Sequence, residues 1–522
     1  MAAVASTFAL CAPLAVPAAS AAPVVSTIAT PAAASRDFAS VVGPGEHALS
    51  VVVPITAPAT TNGIIDAETL ARLTGPLGQL TAKLDALVGV PVTLAIDPAI
   101  PASIAALGSD VPASATQWIA RLAEWETFPL LYADADPTLL TQSSLGAIPA
   151  SAEPTGRWVP SLDGLALTTQ DTVVASDIPQ LAARAGNGIF VWSSQIEDIG
   201  DANAIATVDR DRILIVDAAA SDWISRAASA GSVAPDDLEI DRDTIVVLDP
   251  TPTTALRGVL AALDASTTIA VVPLIEGIAT AELDDEGNKR RETEVAIVDR
   301  PQDPERLAAF DRLIAEDLAD AQFSAILEDP MSLTAADSAR TIALASRAWL
   351  GDPTWTATID DEVSQAAELR SRVRIVESDS LFLADRSGLP VAIENGLDQP
   401  ITVDVRVSAS NPRLELPDTP QRATVPAGSQ ATVSFDAVAV SNGTVRVAAT
   451  ISAPDGPPIG PAAIASVNVQ AGWETPIVLA ALGLLLLLMI LGIVRTIRRN
   501  RRPRIETAAA DASQTQETGT DE

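Results

Sequence analysis

The sequence lacks most of the side chains that nucleophilic and metal-dependent enzymes use. It has one cysteine, Cys11, and one histidine, His47, in 522 residues. If Cys11 leaves with an N-terminal signal, the mature chain has no disulfide, thiol nucleophile or thiolate metal site. Zinc deacetylases need paired histidines and triad hydrolases need a histidine base, so we read His47 as an ordinary loop residue. No G-x-G-x-x-G or P-loop motif supports a nucleotide site, and we expect no metal and no cofactor.

Basic residues are scarce relative to acidic ones. The chain has 33 Lys and Arg against 67 Asp and Glu, which gives a formal net charge of -34. Because nucleic-acid binding needs clustered cations on the bound surface, this balance argues against a nucleic-acid partner. The one dense basic cluster follows an apolar run near the C-terminus, where contact with anionic lipid explains it.

The longest uncharged run is 477–494, IVLAALGLLLLLMILGIV. At about 1.5 Å per residue it reaches across a hydrocarbon core of about 30 Å, whereas a buried core helix would show a polar face. Interfacial and basic residues flank it: Trp473, Arg495, Arg498 and Arg499. Because arginines mark the cytoplasmic flank, we predict a single transmembrane helix over 475–495 in the cell membrane, an N-terminal ectodomain outside, and a cytoplasmic tail over 496–522 that is basic and then disordered.

The N-terminal residues resemble an export signal. Residues 1–22 are small and apolar and end in Ala19-Ser20-Ala21, an A-x-A pattern for signal peptidase. No Lys or Arg precedes Arg36, so the charged start of a signal is missing, and we expect either that the true start lies upstream or that the recorded start is wrong. A lipoprotein signal at Cys11 fits poorly because a small residue should precede the cysteine. Residues 23–45 read as a flexible leader.

Residues 46–280 alternate short apolar runs with segments of helical period. Because most of the runs are apolar on both faces, they predict a parallel sheet covered by helices. We expect an α/β fold in which this region is a closed or nearly closed β/α barrel, with an open doubly wound sheet as the alternative. The predicted strands are 48–55, 92–96, 128–132, 188–193, 212–216, 244–248 and 268–274, with 156–160 as a weaker candidate. The predicted helices are 67–88, 113–126, 179–185, 218–230 and 253–264.

Two further regions follow. Residues 281–380 begin with a charged loop and then show three helical segments, 304–322, 334–349 and 360–375, which we interpret as a helical extension. Residues 385–471 switch to a period of two, with turn pairs such as Asn442-Gly443 between the runs. This pattern predicts an all-β sandwich of immunoglobulin-like type that lacks the disulfide and stands on the membrane helix as a stalk.

Acidic and aromatic side chains follow several predicted strands. Active sites of β/α barrels form at the carboxyl ends of the strands, so these residues are candidates for binding a sugar or a cation. The candidates are Asp97, Tyr132, Asp134, Trp158, Trp192, Asp217 and Glu276, with Asp136 and Asp249 beside them. A glycosidase would need two such carboxylates about 5 to 10 Å apart. Asp97, Asp136 and Asp249 precede proline, however, and Asp-Pro is a helix start in which the carboxylate caps free N–H groups.

Several segments together carry a family resemblance. They are VVVPITAP (51–58), VTLAIDPAI (92–100), WIARL (118–122), LLYADAD (130–136), RWVP (157–160) and LPVAIENGLDQPITVDV (389–405). The chain resembles an uncharacterised family of actinobacterial secreted proteins with a C-terminal membrane anchor and a domain of unknown function. The resemblance implies a barrel similar to those of glycoside hydrolases and polysaccharide deacetylases. Genes of that family often lie beside the gene for the lipid II flippase, which implies a role in the cell envelope.

Three functions remain open at this point. The first is a non-enzymatic, membrane-anchored extracytoplasmic protein that binds a cell-wall glycan or a membrane-protein partner such as the lipid II flippase in peptidoglycan biogenesis. The second is a metal-independent carbohydrate-active enzyme that uses paired carboxylates. The third is a structural partner of a multi-span membrane protein. We expect the bilayer to be one partner in every case, and we assign no catalytic residue.

Overall fold

The computed structural model describes residues 46–146, 158–230, 238, 240–248, 255–265, 268–283, 287–376, 381–383, 386–469 and 474–500. The predicted signal, leader and polar tail lie outside the described residues, as do Asp249 and Trp473.

A mostly parallel sheet forms the first part of the chain. The strands are β1 (His47–Ile55), β2 (Thr93–Ile96), β3 (Glu126–Pro129), β4 (Leu165–Leu167), β5 (Gly188–Trp192), β6 (Ile205–Val208), β7 (Asp211–Val216), β8 (Thr244–Val247), β9 (Ile269–Val272) and β10 (Thr293–Glu294). They pair in the order β4-β5-β7-β8-β1-β2-β3, and β6 joins β7 antiparallel.

This order confirms a parallel α/β sheet, and it leaves the closed barrel a prediction. Among the described residues no ladder joins β3 to β4. The segment before β4 contacts β3 through the Ser161 and Leu162 N–H groups, which donate to the Thr127 carbonyl at 3.0 and 2.9 Å. The weak candidate 156–160 is not a strand where it is described, from Trp158 onward. The predicted strand 128–132 begins and ends earlier, as β3, and β4 and β6 were not predicted.

Strand β1 is long enough to pair with two strands along one edge. Ser50 pairs with Val272 of β9, and Val52 pairs with Thr93 of β2, while β8 occupies the opposite edge. The carboxyl end of β9 therefore meets the amino end of β2. This end-to-end contact decides where the residues after β9 lie.

Most of the helices pack against one face of the sheet, and one packs against the other. They are α1 (Ala67–Thr74), α2 (Gln79–Leu87), α3 (Ala99–Ala106), α4 (Ala113–Arg121), α5 (Pro137–Gln142), α6 (Ile178–Arg184), α7 (Ala218–Ala230), α8 (Leu256–Asp264) and α9 (Leu274–Ala281). The single helix predicted over 67–88 is two helices, because Pro76 stands in a turn between Gly75 and Gly78. A Cβ on Gly78 would lie 2.2 Å from the Leu73 carbonyl oxygen, so only glycine fits this turn.

Alternate residues of β1 enter two different cores. Val51 and Val53 lie in a cluster with the outer helices, whereas Val52 packs with Phe128 and Phe190 on the other face. The two phenylalanine rings stack with their centroids 5.6 Å apart. Burial on both faces explains why the strand sequences are apolar without alternation.

Three longer helices form the extension: α10 (Pro304–Ser324), α11 (Met331–Leu344) and α12 (Trp355–Ser371). All three were predicted, with shifted ends. Helix α12 begins five residues before the predicted start at 360, because Trp355 and Ile359 are buried against α10 and α11. The Asp303 carboxylate caps α10 by accepting from the Glu305 N–H at 2.9 Å.

Two sheets that are almost entirely antiparallel share one core in the C-terminal part. The strands are β11 (Val373–Val376), β12 (Leu381–Leu383), β13 (Arg386–Asn395), β14 (Ile401–Ala409), β15 (Leu414–Glu415), β16 (Gln421–Val425), β17 (Ser429–Ala439), β18 (Gly443–Ser452) and β19 (Pro458–Val469). One sheet runs β11-β13-β17-β15 and the other β12-β19-β18-β14-β16, with only β12 and β19 parallel. The period-two pattern is thus confirmed as a sandwich, since Val403, Val405 and Phe435 meet inside it.

The sandwich has two distinct ends. Ser452 pairs with Asp404 of β14 and with Pro458 of β19, so the starts of β14 and β19 lie at one end. The helical extension attaches there, through a bridge between Leu327 and Ile401. At the other end Gly443 pairs with Val469, the last residue before the link to the final helix.

The final helix, α13 (Glu474–Asn500), is apolar and unburied. Its segment Val478–Arg499 has a mean hydropathy of 2.7 and none of it is buried, so this helix is long and apolar enough to cross a membrane. This agrees with the predicted span.

We expect Gly277→Ala to destabilise the protein and Gly258→Ala to leave it unchanged or slightly stabilised. A Cβ on Gly277 would lie 2.0 Å from the Ser50 Oγ, whereas one on Gly258, also in a helix, meets nothing within 4 Å. The first change should cost about 1–3 kcal/mol of unfolding free energy and the second should contribute up to ~1 kcal/mol. Urea unfolding of the full chain in detergent, followed by tryptophan fluorescence, measures both. Ser50→Ala combined with Gly277→Ala should recover part of the loss; equal stability of the two single variants would contradict the packing described.

Candidate functional site

Two of the predicted acids lie together at the carboxyl ends of β2 and β3. Asp97 directly follows β2 and is 2% exposed, and Asp134 follows β3 and is 6% exposed. One oxygen of Asp97 accepts from the Ala99 N–H at 2.8 Å, which caps the start of α3 as the Asp-Pro order predicts. The sheet thus brings these two carboxylates together, as neighbouring parallel strands should.

Asp134 is held by an arginine from the extension. The Arg347 Nε donates to Asp134 Oδ1 at 3.0 Å, and a second guanidinium N–H donates to the same oxygen. Ala133 and Asp134 both have left-handed backbone conformations, with φ of 56° and 53°. Such conformations are costly for residues other than glycine, so the surrounding contacts must hold this turn in place.

Burial controls the protonation of these groups. It raises the pKa of Asp97 to about 7, and the negative charge of Asp134 raises it further. Burial also raises the pKa of Asp134, although the charge of Arg347 opposes this. The pKa of the Tyr132 phenol is raised by burial and then by Asp97.

Asp136 completes the group, which we call the Arg347 cluster: Arg347, Asp97, Asp134 and Asp136. Asp136 caps α5 through the Thr138 N–H at 3.1 Å and accepts from the Gln302 Nε2 at 2.6 Å. The pKa of Asp134 is raised by burial, and the positive charge of Lys83, a buried residue of α2, is a smaller influence that opposes this rise. The cluster therefore pairs three carboxylates with cations and amide donors of the chain itself.

The extension closes this edge of the sheet. The Asp136 N–H donates to the Ala345 carbonyl at 2.8 Å, and Ala135 forms a bridge with Ser346. With Asp97 and Asp134 both buried, the two carboxylates do not flank an open cleft, which glycoside hydrolysis requires. The arrangement suits the attachment of the extension to the sheet rather than the binding of a sugar.

The three predicted aromatic residues make contacts within the chain. The Tyr132 hydroxyl donates to the Gly63 carbonyl at 2.6 Å. Trp158 is 5% exposed inside the main core, and the indole N–H of Trp192 donates to the Thr168 carbonyl at 3.2 Å. Each ring is therefore used in packing or in a hydrogen bond within the chain.

The other two acids lie apart from the Arg347 cluster. Asp217 follows β7 and caps α7 by accepting from the Ala220 N–H at 2.9 Å. Glu276 lies in α9, near Glu126, which begins β3 opposite the amino end of β2; the charge of Glu276 raises the pKa of Glu126 as a smaller cause after burial. This opposite position follows from the end-to-end contact of β9 with β2. One oxygen of Glu276 is buried without a hydrogen-bond partner among the described residues.

The membrane-flanking arginines extend the last helix. Arg495, Arg498 and Arg499 lie in the C-terminal turns of α13 and are exposed. Trp473 lies outside the described residues. Within the part of the chain that the structure describes, no group of three or more His, Cys, Asp and Glu residues is placed to hold a metal ion.

Sequence reasoning missed Arg347 and Lys83. Lys83 offered a signal, because Lys83 and Lys289 are the two lysines of the chain and Lys83 stands on the apolar side of a predicted helix. It also missed a second set of buried charges between α10, α11 and α12. There Arg370 contacts Glu316 and Asp320, and burial raises the pKa of the nearby Asp317 to about 7.

A family model matches residues 226–505, more than half of the chain. The chain belongs to DUF6049, a family of unknown function. The matched region runs from within α7 through the extension and the sandwich to the end of the membrane helix. It includes Arg347 and leaves out Asp97 and Asp134.

No curated protein matches the chain. Among solved structures, part of the chain is similar to native E. coli alpha-2-macroglobulin, with 22% identity, a TM-score of 0.16, and coverage of 19% of this chain and 6% of that one. It is also similar to the complex of zinc 2-glycoprotein and prolactin inducible protein from human seminal plasma, with 16% identity, a TM-score of 0.15, and coverage of 19% and 93%. At these TM-scores neither similarity informs the fold or the function of this chain.

We expect Arg347→Met to destabilise the protein by about 3–5 kcal/mol, because it leaves Asp134 buried without its countercharge. Arg312→Met is the matched control, since Arg312 pairs with Asp360 at the surface and such pairs contribute about 0–1 kcal/mol. Denaturant unfolding of the full chain measures both. Adding Asp134→Asn to Arg347→Met should restore part of the loss, and a cost for Arg347→Met no larger than that for Arg312→Met would contradict the buried pair.

We expect Asp97→Asn to make stability less dependent on pH. Because the pKa of Asp97 is raised from 3.8 to about 7, the folded state keeps a proton that the unfolded state releases, and stability falls as pH rises between these values. The variant should therefore gain on the wild type by up to ~1.4 kcal/mol per pH unit across this window and level off above it. Unfolding curves at pH 4 to 8 measure the difference, and Asp303→Asn controls for exchanging a capping carboxylate. A constant difference across the window would show that Asp97 is ionised in the folded protein.

Proposed function

We propose that this chain is a non-enzymatic, single-pass membrane protein of the cell envelope, with its folded part outside and its C-terminus in the cytoplasm. Residues 1–22 are its signal peptide in this proposal. The sandwich is the stalk, and the sheet with its helical extension, which we call the head, binds another envelope component.

The observation that carries the proposal is that the extension and the final helix are connected to opposite ends of the sandwich. The extension attaches at the end that contains Ile401 and Pro458, and the membrane helix follows from the end that contains Val469. The 12 residues of β19 span this distance, which is roughly 35 Å at about 3.3 Å per residue. A spacer of this length keeps the head clear of lipid headgroups.

The orientation rests on the arginines that follow the apolar helix. Arg495, Arg498 and Arg499 stand at one end of α13, and Glu474 begins the other. An excess of arginine marks the cytoplasmic side of a membrane span, so we propose that the head lies outside.

Two finer features of the fold belong to the same proposal. We propose that the parallel sheet is the wall of an incomplete β/α barrel whose gap lies between β3 and β4. Its neighbouring strands follow chain order from β4 through β5 and β7 to β8, and again from β1 to β3, as barrel strands do. We also propose that the sandwich is of immunoglobulin-like type.

A membrane-protein partner fits the head better than a glycan does. Sugar sites need exposed rings and acids, whereas Asp97, Asp134 and Trp158 are buried in the head. The resemblance to a family encoded beside the lipid II flippase makes that flippase the partner that we propose. The carbohydrate-active enzyme stays the alternative, and it lacks an open pair of carboxylates among the described residues.

Labelling of single cysteines tests the orientation. With Cys11→Ser as the background, Ala427→Cys introduces a thiol at an exposed turn of the sandwich, and Ala508→Cys introduces one in the tail. We expect a membrane-impermeant maleimide to label residue 427 in intact protoplasts and residue 508 only after permeabilisation. The reverse pattern would overturn the proposed topology.

A further inference from the structure

An apolar cleft of about 450 Å³ lies where the extension meets the sandwich. Its apolar walls come from three helices, the link between the first two of them and one turn of the sandwich: Phe323, Leu327, Leu333, Leu369 and Leu397. Leu333 and Leu369 are only partly buried, so apolar surface faces the opening. The volume and the apolar lining are in the range of protein binding pockets.

The cleft is built from parts that are fixed to one another. The Thr402 N–H donates to the Ile326 carbonyl at 2.8 Å, and the Gly396 N–H donates to the Arg372 carbonyl at 2.9 Å. Both polar atoms of the Gln399 side-chain amide form hydrogen bonds at the opening. Its Oε1 accepts from the Asp329 N–H at 3.1 Å, and its Nε2 donates to the Ser332 Oγ at 3.2 Å. The walls therefore belong to one continuous core, and the cleft is not a loose gap between domains.

The rim is negatively charged. Asp329 and Asp398 line the opening, and Glu328 lies beside them; all three are exposed. Within the described residues none of these three carboxylates forms an ion pair. The arginine of this edge, Arg372, lies 3.9 Å from Glu368.

We propose that this cleft binds an extended segment of another envelope protein, in which an apolar side chain stands next to Lys or Arg. The apolar side chain enters the cleft, and the cation meets the carboxylates of the rim. The inference rests on the proposed function, because it names the chemistry of the partner that the head and stalk present outside the membrane.

Charge decides between the possible occupants. Anionic lipid headgroups and anionic polymers would meet repulsion from the rim. A second copy of this chain, with a net charge of -34, presents few Lys or Arg side chains to the rim. Its dense arginine cluster follows the membrane helix and lies on the other side of the bilayer in the proposed topology. A basic and apolar segment of a different protein is the occupant that matches both the walls and the rim.

The test measures the binding of fluorescent peptides to the full chain in phosphatidylcholine nanodiscs by anisotropy. Three heptapeptides share a central leucine and differ in the residues that flank it, which are Arg, Glu or Ser. A fourth keeps the Arg flanks and replaces the leucine by Ser. We expect the peptide with Arg flanks and leucine to bind at least 10-fold more tightly than each of the other three.

A charge reversal then locates the site. Asp398→Lys should weaken binding of the Arg-flanked leucine peptide at least 10-fold and strengthen binding of the Glu-flanked one. Asp436→Lys makes the same change of charge at an exposed position of β17 away from the cleft, and it should leave the order of affinities unchanged. Leu333→Ser should weaken binding of the Arg-flanked leucine peptide.

Three results would overturn the inference: no binding at millimolar peptide, equal binding with serine in place of leucine, or equal effects of Asp398→Lys and Asp436→Lys. Nanodiscs expose both sides of the membrane, so the peptide result does not depend on orientation. Failure here with the expected cysteine labelling would therefore remove the cleft alone, whereas peptide binding with reversed labelling would remove the proposed function.

Discussion

The contact between Arg347 and Asp134 joins the extension to the sheet, and the closure of the sheet's carboxyl edge depends on it. Taking both charges out of water is costly, and the cost is offset only where the geometry is good and other donors satisfy the remaining oxygens. The neighbouring Asp97 is buried as well, and its pKa is raised first by that burial and then by the charge of Asp134. A buried pair of this kind fixes one arrangement of the extension, because any other would leave Asp134 uncompensated.

This closure moves the functional surface away from the place where β/α proteins usually carry it. Strand ends that would form an open pocket are used to hold helices, and the capping roles of Asp97, Asp136 and Asp217 account for their positions. An apolar cleft lies further along the chain, between the extension and the sandwich.

The extension has two junctions of different physical character. Towards the sheet, buried charges lie beside an apolar core in which Leu139 packs with Phe310, whereas towards the sandwich the extension shares an apolar core that includes Phe323 and Leu327. The family match over 226–505 covers the whole apolar junction and only the Arg347 side of the charged one.

The sequence alone determined whatever depends on local period and composition. The apolar run of α13, the alternation of Val403 and Val405, and the Asp-Pro helix starts are each carried by neighbouring residues, and each was predicted. The break at Gly75–Gly78 was missed although Gly75-Pro76 is a strong local turn signal, and the short strand β4 was missed because its pattern is weak within a few residues. The tertiary structure alone decided that Arg347 meets Asp134 across a separation of 213 residues and that Glu276 lies at the opposite edge from Asp97. Such contacts depend on which strands and helices meet in space, and no local period encodes that.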